Sequence, residues 1–114
     1  MVNQRMRRVD EAVRQVIGDA ISRELKDPRV GFVTVTDVKT SPDLRHSRVY
    51  VSVLGSAAER EITLDALRSA HGFLQARVGR ELHLKRTPAL EFLHDDTPAR
   101  AVALSELIDR EVGA

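Results

Sequence analysis

The chain has 114 residues, a length that suits one domain and lets about two-thirds of the unfolded surface be buried in a single core. It contains no cysteine, which removes disulfides, thiolate nucleophiles and cysteine-held zinc, and its apolar runs are too short for a membrane-crossing helix. With 18 basic and 17 acidic residues the net charge is +1, so nucleic-acid binding would have to come from an uneven distribution of charge rather than from its total.

The first helix is expected over about Arg7 to Lys26, with Val9, Val13, Val16, Ile17, Ala20, Ile21 and Leu25 forming its buried stripe. Residues 1–6 read as a basic N-terminal arm without a signal-peptide apolar stretch. Arg5, Arg7 and Arg8 are candidate phosphate contacts there, or simply a solvated terminus. Lys26-Asp27-Pro28-Arg29 ends the helix, because the residue before a proline leaves the α region and the proline cannot continue the ladder.

Two strands are expected next. Phe32 to Thr40 is rich in β-branched residues, but Val38 is out of phase with Val33 and Val35, so burying all three requires a bulge near Thr36 or Asp37. Ser41-Pro42-Asp43 signals a turn. Arg45 to Leu54 alternates cleanly, Val49, Val51 and Val53 pointing one way and Arg48, Tyr50 and Ser52 the other, which makes an antiparallel hairpin. Arg45, His46 and Arg48 form a small basic group on this strand. After Gly55-Ser56 a helix starts near Ala58 or Glu59, with Ile62, Ala66 and Leu67 inward.

The stretch from Leu67 to Arg86 asks for helix and carries a break. Leu67, Ala70, Phe73, Leu74, Val78 and Leu82 mark a core face, interrupted at Ala70-His71-Gly72. A glycine there costs a helix interior about 1 kcal/mol, yet it lets two segments meet at an angle and a foreign backbone come close. Beyond the break, Arg77, Arg80, Lys85 and Arg86 face only Glu81 and should present a cationic side to solvent. Thr87-Pro88 stops the pair, Ala89 to His94 forms a third strand with Leu90 and Phe92 on one face, and residues 97–114 close the chain as a short amphipathic helix. The result is one α+β domain over residues 1–114: a three-stranded sheet covered on one face by helices.

Two readings of the break stand open. Helix-terminal amides around Gly72, with Ala70, His71 and the cations beyond, could hold a sugar–phosphate backbone; or Ala70 and Gly72 are small because helix meets helix. The aromatics are Phe32, Tyr50, Phe73 and Phe92. The phenylalanines fit the core, so backbone and shape rather than base stacking should dominate recognition. Catalysis finds little footing. His46, His71, His83 and His94 lack metal-ligand spacing, and no nucleophile elbow or glycine-rich phosphate loop occurs.

Taken in order, Lys26-Asp27-Pro28-Arg29-Val30-Gly31, Ser41-Pro42-Asp43-Leu44, Val49-Tyr50-Val51-Ser52, Ala70-His71-Gly72 and Thr87-Pro88-Ala89-Leu90-Glu91-Phe92 resemble the bacterial ribosome-binding factor A family, over roughly Arg5 to Ile108. The resemblance implies a KH-like domain of type II in which an Ala-x-Gly kink replaces the usual GXXG loop. It further implies a cytoplasmic, monomeric, cofactor-free assembly factor, not an enzyme and without membrane or small-molecule partner. Such a factor binds free 30S subunits and their 16S rRNA, aids late maturation and precursor processing, and supports growth in the cold. The alternative is a KH-like domain that meets a basic protein through its acidic C-terminal portion, where residues 87–114 carry six acidic residues against two basic.

Overall fold

The computed structural model describes residues 4–97 and shows α1 (Gln4–Arg23), β1 (Val33–Thr40), β2 (His46–Val53), α2 (Ala57–Ser69), α3 (His71–Leu82) and β3 (Ala89–His94). This is the expected α+β order. The C-terminal helix expected over 97–114 lies, beyond Thr97, outside the described residues. α1 begins at Gln4 rather than near Arg7, so Arg5, Arg7 and Arg8 stand on its first turns and not on an arm. Arginine is a good helix former, and nothing in that stretch breaks a helix. At the other end the Ala20 carbonyl accepts from both Glu24 N (3.0 Å) and Leu25 N (2.9 Å), closing the helix before Lys26.

β2 is the central strand, antiparallel to β1 and parallel to β3. The pairing of β1 slips between Val35 and Asp37, leaving Thr36 as the extra residue of a bulge. That one residue returns Val38 to the phase of Val35, so both are buried. The Thr36 hydroxyl lies 3.2 Å from the Tyr50 carbonyl and 2.8 Å from Asp95 Oδ2, pinning the bulge to its partner strand and to the end of β3. Val35, Val38, Val49, Val51, Val53 and Phe92 form the inner face, packed in one core with Val13, Ile17, Ala20 and Ile21 of α1, Leu64 and Leu67 of α2, and Leu74 and Val78 of α3. The other face carries exposed Lys39, Arg48 and Glu91 side by side in register.

Three side chains expected in the core are not there. Phe32 is 81% exposed, because putting Val33 and Val35 inward turns its predecessor out. Ile62 is half exposed, since α2 buries Thr63, Leu64, Ala66 and Leu67 instead. Phe73 is also exposed; the break at Ala70 restarts the helix and gives α3 its own phase, led by Leu74 and Val78.

The loops are held by side chains. Ser56 caps α2, accepting from Glu59 N, while the Glu59 carboxylate accepts from Ser56 N. Buried Thr63 accepts from Gly31 N and donates to the Arg29 carbonyl, each at 3.3 Å, tying the segment after α1 to α2. Ser41 and Asp43 organise the hairpin turn around Leu44, whose φ is 60°. Glycines 18 and 79 should answer alanine oppositely. A Cβ at Gly18 meets nothing within 4 Å, whereas one at Gly79 would lie 2.6 Å from Thr87 Oγ1. By chemical denaturation, Gly18→Ala should stabilise the fold by about 0.5–1 kcal/mol and Gly79→Ala should destabilise it, the latter reversing sign in a Thr87→Ala background.

Candidate nucleic-acid interface

The break between α2 and α3 is a single residue. Ala70 leaves the helical region (φ −91°, ψ 9°), its N–H shared between the carbonyls of Ala66 and Leu67, and Leu74 N then donates to Ala70 O to start the new ladder. His71 Nδ1 sits 2.8 Å from the Arg68 carbonyl. A carbonyl only accepts, so Nδ1 carries the proton, and in the neutral ring Nε2 is an acceptor. His71 thereby satisfies one of the orphan carbonyls at the end of α2. α3 starts with no side-chain cap and no acidic residue in its first turn. Gly72 is exposed, and a Cβ there would meet nothing within 4 Å, so helix crossing does not explain that glycine.

The break lies beside the open edge of β3. Ala89 N and Asp95 N donate to the carbonyls of Arg45 and Val51. In a parallel ladder the residues between alternate, so Phe92 turns its backbone polar groups away from β2. Arg68 Nη2 donates to the Phe92 carbonyl at 3.2 Å, hooking the last turn of α2 onto that edge.

The cations divide into those held by the fold and those offered to solvent. Arg77, expected on the solvent face, is drawn inward: its Nη2 lies 2.8 Å from Glu24 Oε1 and 3.3 Å from Glu81 Oε1, and its side chain is only 22% exposed. The reason is position. Arg77 faces the end of α1, and a long side chain there buries its stem between helices while its fork meets a carboxylate on each. Arg80, Lys85 and Arg86 are exposed and outside these ion pairs. Arg45 pairs loosely with Asp43 (3.7 Å) and Arg48 with Glu91 (3.8 Å), all four side chains well exposed, so the charges remain accessible.

Tertiary structure gathers some of these groups and separates others. The Ala89–Arg45 backbone bond brings the 85–89 segment to the start of β2. Asp10 Oδ1 accepts from Thr40 N at 2.9 Å, which lays the start of α1 over the end of β1. Arg7, Arg14 and Lys39 then line one recess of about 380 Å³ together with Asp10, Glu11 and Asp37, Lys39 lying 3.7 Å from the Asp37 carboxylate. Arg7, Lys39, Arg45, Arg48 and Arg86 therefore collect around one end of the sheet. Arg8 lies along α1 beside Arg7, and Arg5 occupies the first turn. Ala70, His71 and Gly72 form a separate group, at the level of Phe92 further along β3. Lys39 escaped the sequence reading; the signal was there in the hairpin, whose register sets Lys39 opposite Arg48.

Such an arrangement can hold a polyanion by charge at one end and by helix-start amides at the break. Among the described residues no helix is long and apolar enough to cross a membrane, and no group of three His, Cys, Asp or Glu could hold a metal ion.

Comparison with known proteins gives a consistent picture. A family model described as ribosome-binding factor A matches residues 5–108. A ribosome-binding factor A from Halorhodospira halophila is 48% identical over 106 residues, covering 92% of this chain and 84% of its own length. The crystal structure of ribosome-binding factor A from Thermus thermophilus superposes with a TM-score of 0.70 at 30% identity, covering 78% of this chain and 94% of that one. A homology model of the Thermus thermophilus factor, fitted into the cryo-EM map of a 30S–RbfA complex, matches with a TM-score of 0.64 at 31% identity over 75% of this chain and 90% of that one.

Replacing Arg77 by alanine should lower stability by about 1–2 kcal/mol in denaturant titrations, because it unties α3 from α1 and leaves Glu24 without its partner. Arg80→Ala, on an exposed position, should change stability by less than about 0.5 kcal/mol.

Proposed function

The chain belongs to the ribosome-binding factor A family, and on that premise we propose that it binds the immature small ribosomal subunit, contacts its 16S rRNA, and assists late maturation and processing of the 16S precursor. The observation that carries this reading is the family match across residues 5–108, together with the likeness to a factor fitted into a 30S complex. Growth in the cold and a cytoplasmic, monomeric, cofactor-free mode of action are part of the same proposal, as is the absence of catalysis.

In this reading Arg45, Arg48, Lys85 and Arg86, with Arg5, Arg7 and Arg8 on α1, meet phosphates, while His71 and Gly72 offer helix-start amides and the small side of Ala70 and Gly72 leaves room for a backbone. Arg80 extends the cationic side along α3. Arg77 acts indirectly, by fixing α3 on α1. The protein would favour one arrangement of the rRNA by binding it more tightly than the alternative, which is the only way a binding protein moves such an equilibrium. With one tyrosine on the open sheet face and no row of aromatics, selectivity would rest on RNA shape and phosphate placement.

The test is affinity for purified small subunits as a function of salt. Lys85→Ala and Arg86→Ala should each weaken binding and reduce the log–log salt slope by about one unit per lost phosphate contact, with folding unchanged. Gly72→Ala should leave stability equal or slightly higher, since its Cβ has open space, and should still weaken subunit binding if rRNA packs against the break. Equal affinity in all three folded variants would remove these groups from the interface.

A further inference from the structure

The end of the sheet opposite the gathered cations has different chemistry. There a recess of about 550 Å³ is lined by Phe32, Val33, Val53, Leu54, Arg60, His94, Asp95 and Asp96, with Thr34, Ser52 and Gly55 beside them. Phe32 and Leu54 are the two most exposed large apolar side chains among the described residues, at 81% and 75%, and Leu54 N donates to the Phe32 carbonyl at 3.0 Å, so they stand together. Exposed apolar pairs of this kind at a recess rim are the anchor points of interfaces. Arg60 lines the same recess, and its Nε–H is closed off from solvent with no hydrogen-bond partner.

We propose that this recess docks a lysine- or arginine-rich protein segment carrying an apolar anchor residue. The apolar anchor fits between Phe32 and Leu54, basic side chains meet Asp95 and Asp96 at the rim, and a backbone carbonyl reaches Arg60. Hydrogen bonding from the Thr97 side chain and amide, and then from the Thr36 hydroxyl, keeps the Asp95 carboxylate charged below the usual aspartate range. The same carboxylates disfavour RNA phosphates here. This surface stands whether or not the opposite end binds rRNA. Where it does, the domain would grip RNA at one end and a basic protein at the other, the two components of a ribonucleoprotein particle.

The experiment is an NMR titration of the full chain with a lysine-rich synthetic peptide bearing one leucine, alongside its glutamate-rich counterpart. The lysine peptide should shift the amides of Phe32, Leu54, Gly55 and Asp96, and the glutamate peptide should not. Phe32→Ser, safe for folding because the ring is exposed, and Asp96→Asn should each weaken the lysine peptide by about five- to tenfold. Both variants should keep wild-type affinity for protein-free 16S rRNA, so that failure here is separable from failure of the rRNA reading. The proposal is overturned if the two peptides bind alike, if the shifts fall elsewhere or do not occur, or if truncation after Thr97 by itself moves the Phe32 and Leu54 signals. Concentration-dependent dimerisation abolished by Phe32→Ser would also overturn it, since the occupant would then be a second copy.

Discussion

Two strands that run the same way cannot be joined by a tight turn, and the parallel pairing of β2 with β3 is the constraint on which the rest of this fold depends. The chain must cross from one end of the sheet back to the other, and it does so with α2 and α3. One helix can make such a crossover; here the interruption at Ala70 divides it, the first helix lying along β3 and the second against α1. What topology does not demand is a glycine at position 72, where a side chain would find open space.

The same crossover sorts the basic residues. Arg77 and Arg80 are neighbours on α3, yet one turns toward the end of α1 and is consumed by Glu24 and Glu81, while the other stays in solvent. An arginine between helices works as packing and as a charged hydrogen-bonding fork, and its replacement would be felt in stability before it was felt in binding. An interface assigned by counting cations along α3 would therefore include a residue whose task is to hold the helix in place.

Several of the short stretches that resemble the family act within the fold. Asp27 accepts from the Arg29 amide and pairs with its guanidinium, shaping the turn after α1. Ser41 and Asp43 build the hairpin turn through their oxygens, Asp43 being held charged by the Ser41 hydroxyl and the Arg45 amide. Thr87 lies against Gly79, and buried Pro88 leads into β3. The proposed interface draws on residues between these motifs and on Ala70, His71 and Gly72. One end of the sheet brings Lys39, Arg45 and Arg48 together, and the other carries exposed Phe32 and Leu54 beside Asp95 and Asp96.

Alternation along β2, the helical stripe of α1 and the proline and glycine punctuation were enough to give the element order, the bulge near Thr36 and the whole inner face from Val35 to Phe92. These are local or periodic properties, written into neighbouring residues and independent of what packs on top. The partnership of Arg77 with Glu24, the gathering of Arg7, Lys39, Arg45 and Arg86, and the exposure of Phe32, Ile62 and Phe73 were decided only in three dimensions. Each depends on the rotational phase of a helix after a break, or on which strand end meets which loop. Residues far apart in the chain acquire those relations only when the sheet closes, and no period along the sequence records them.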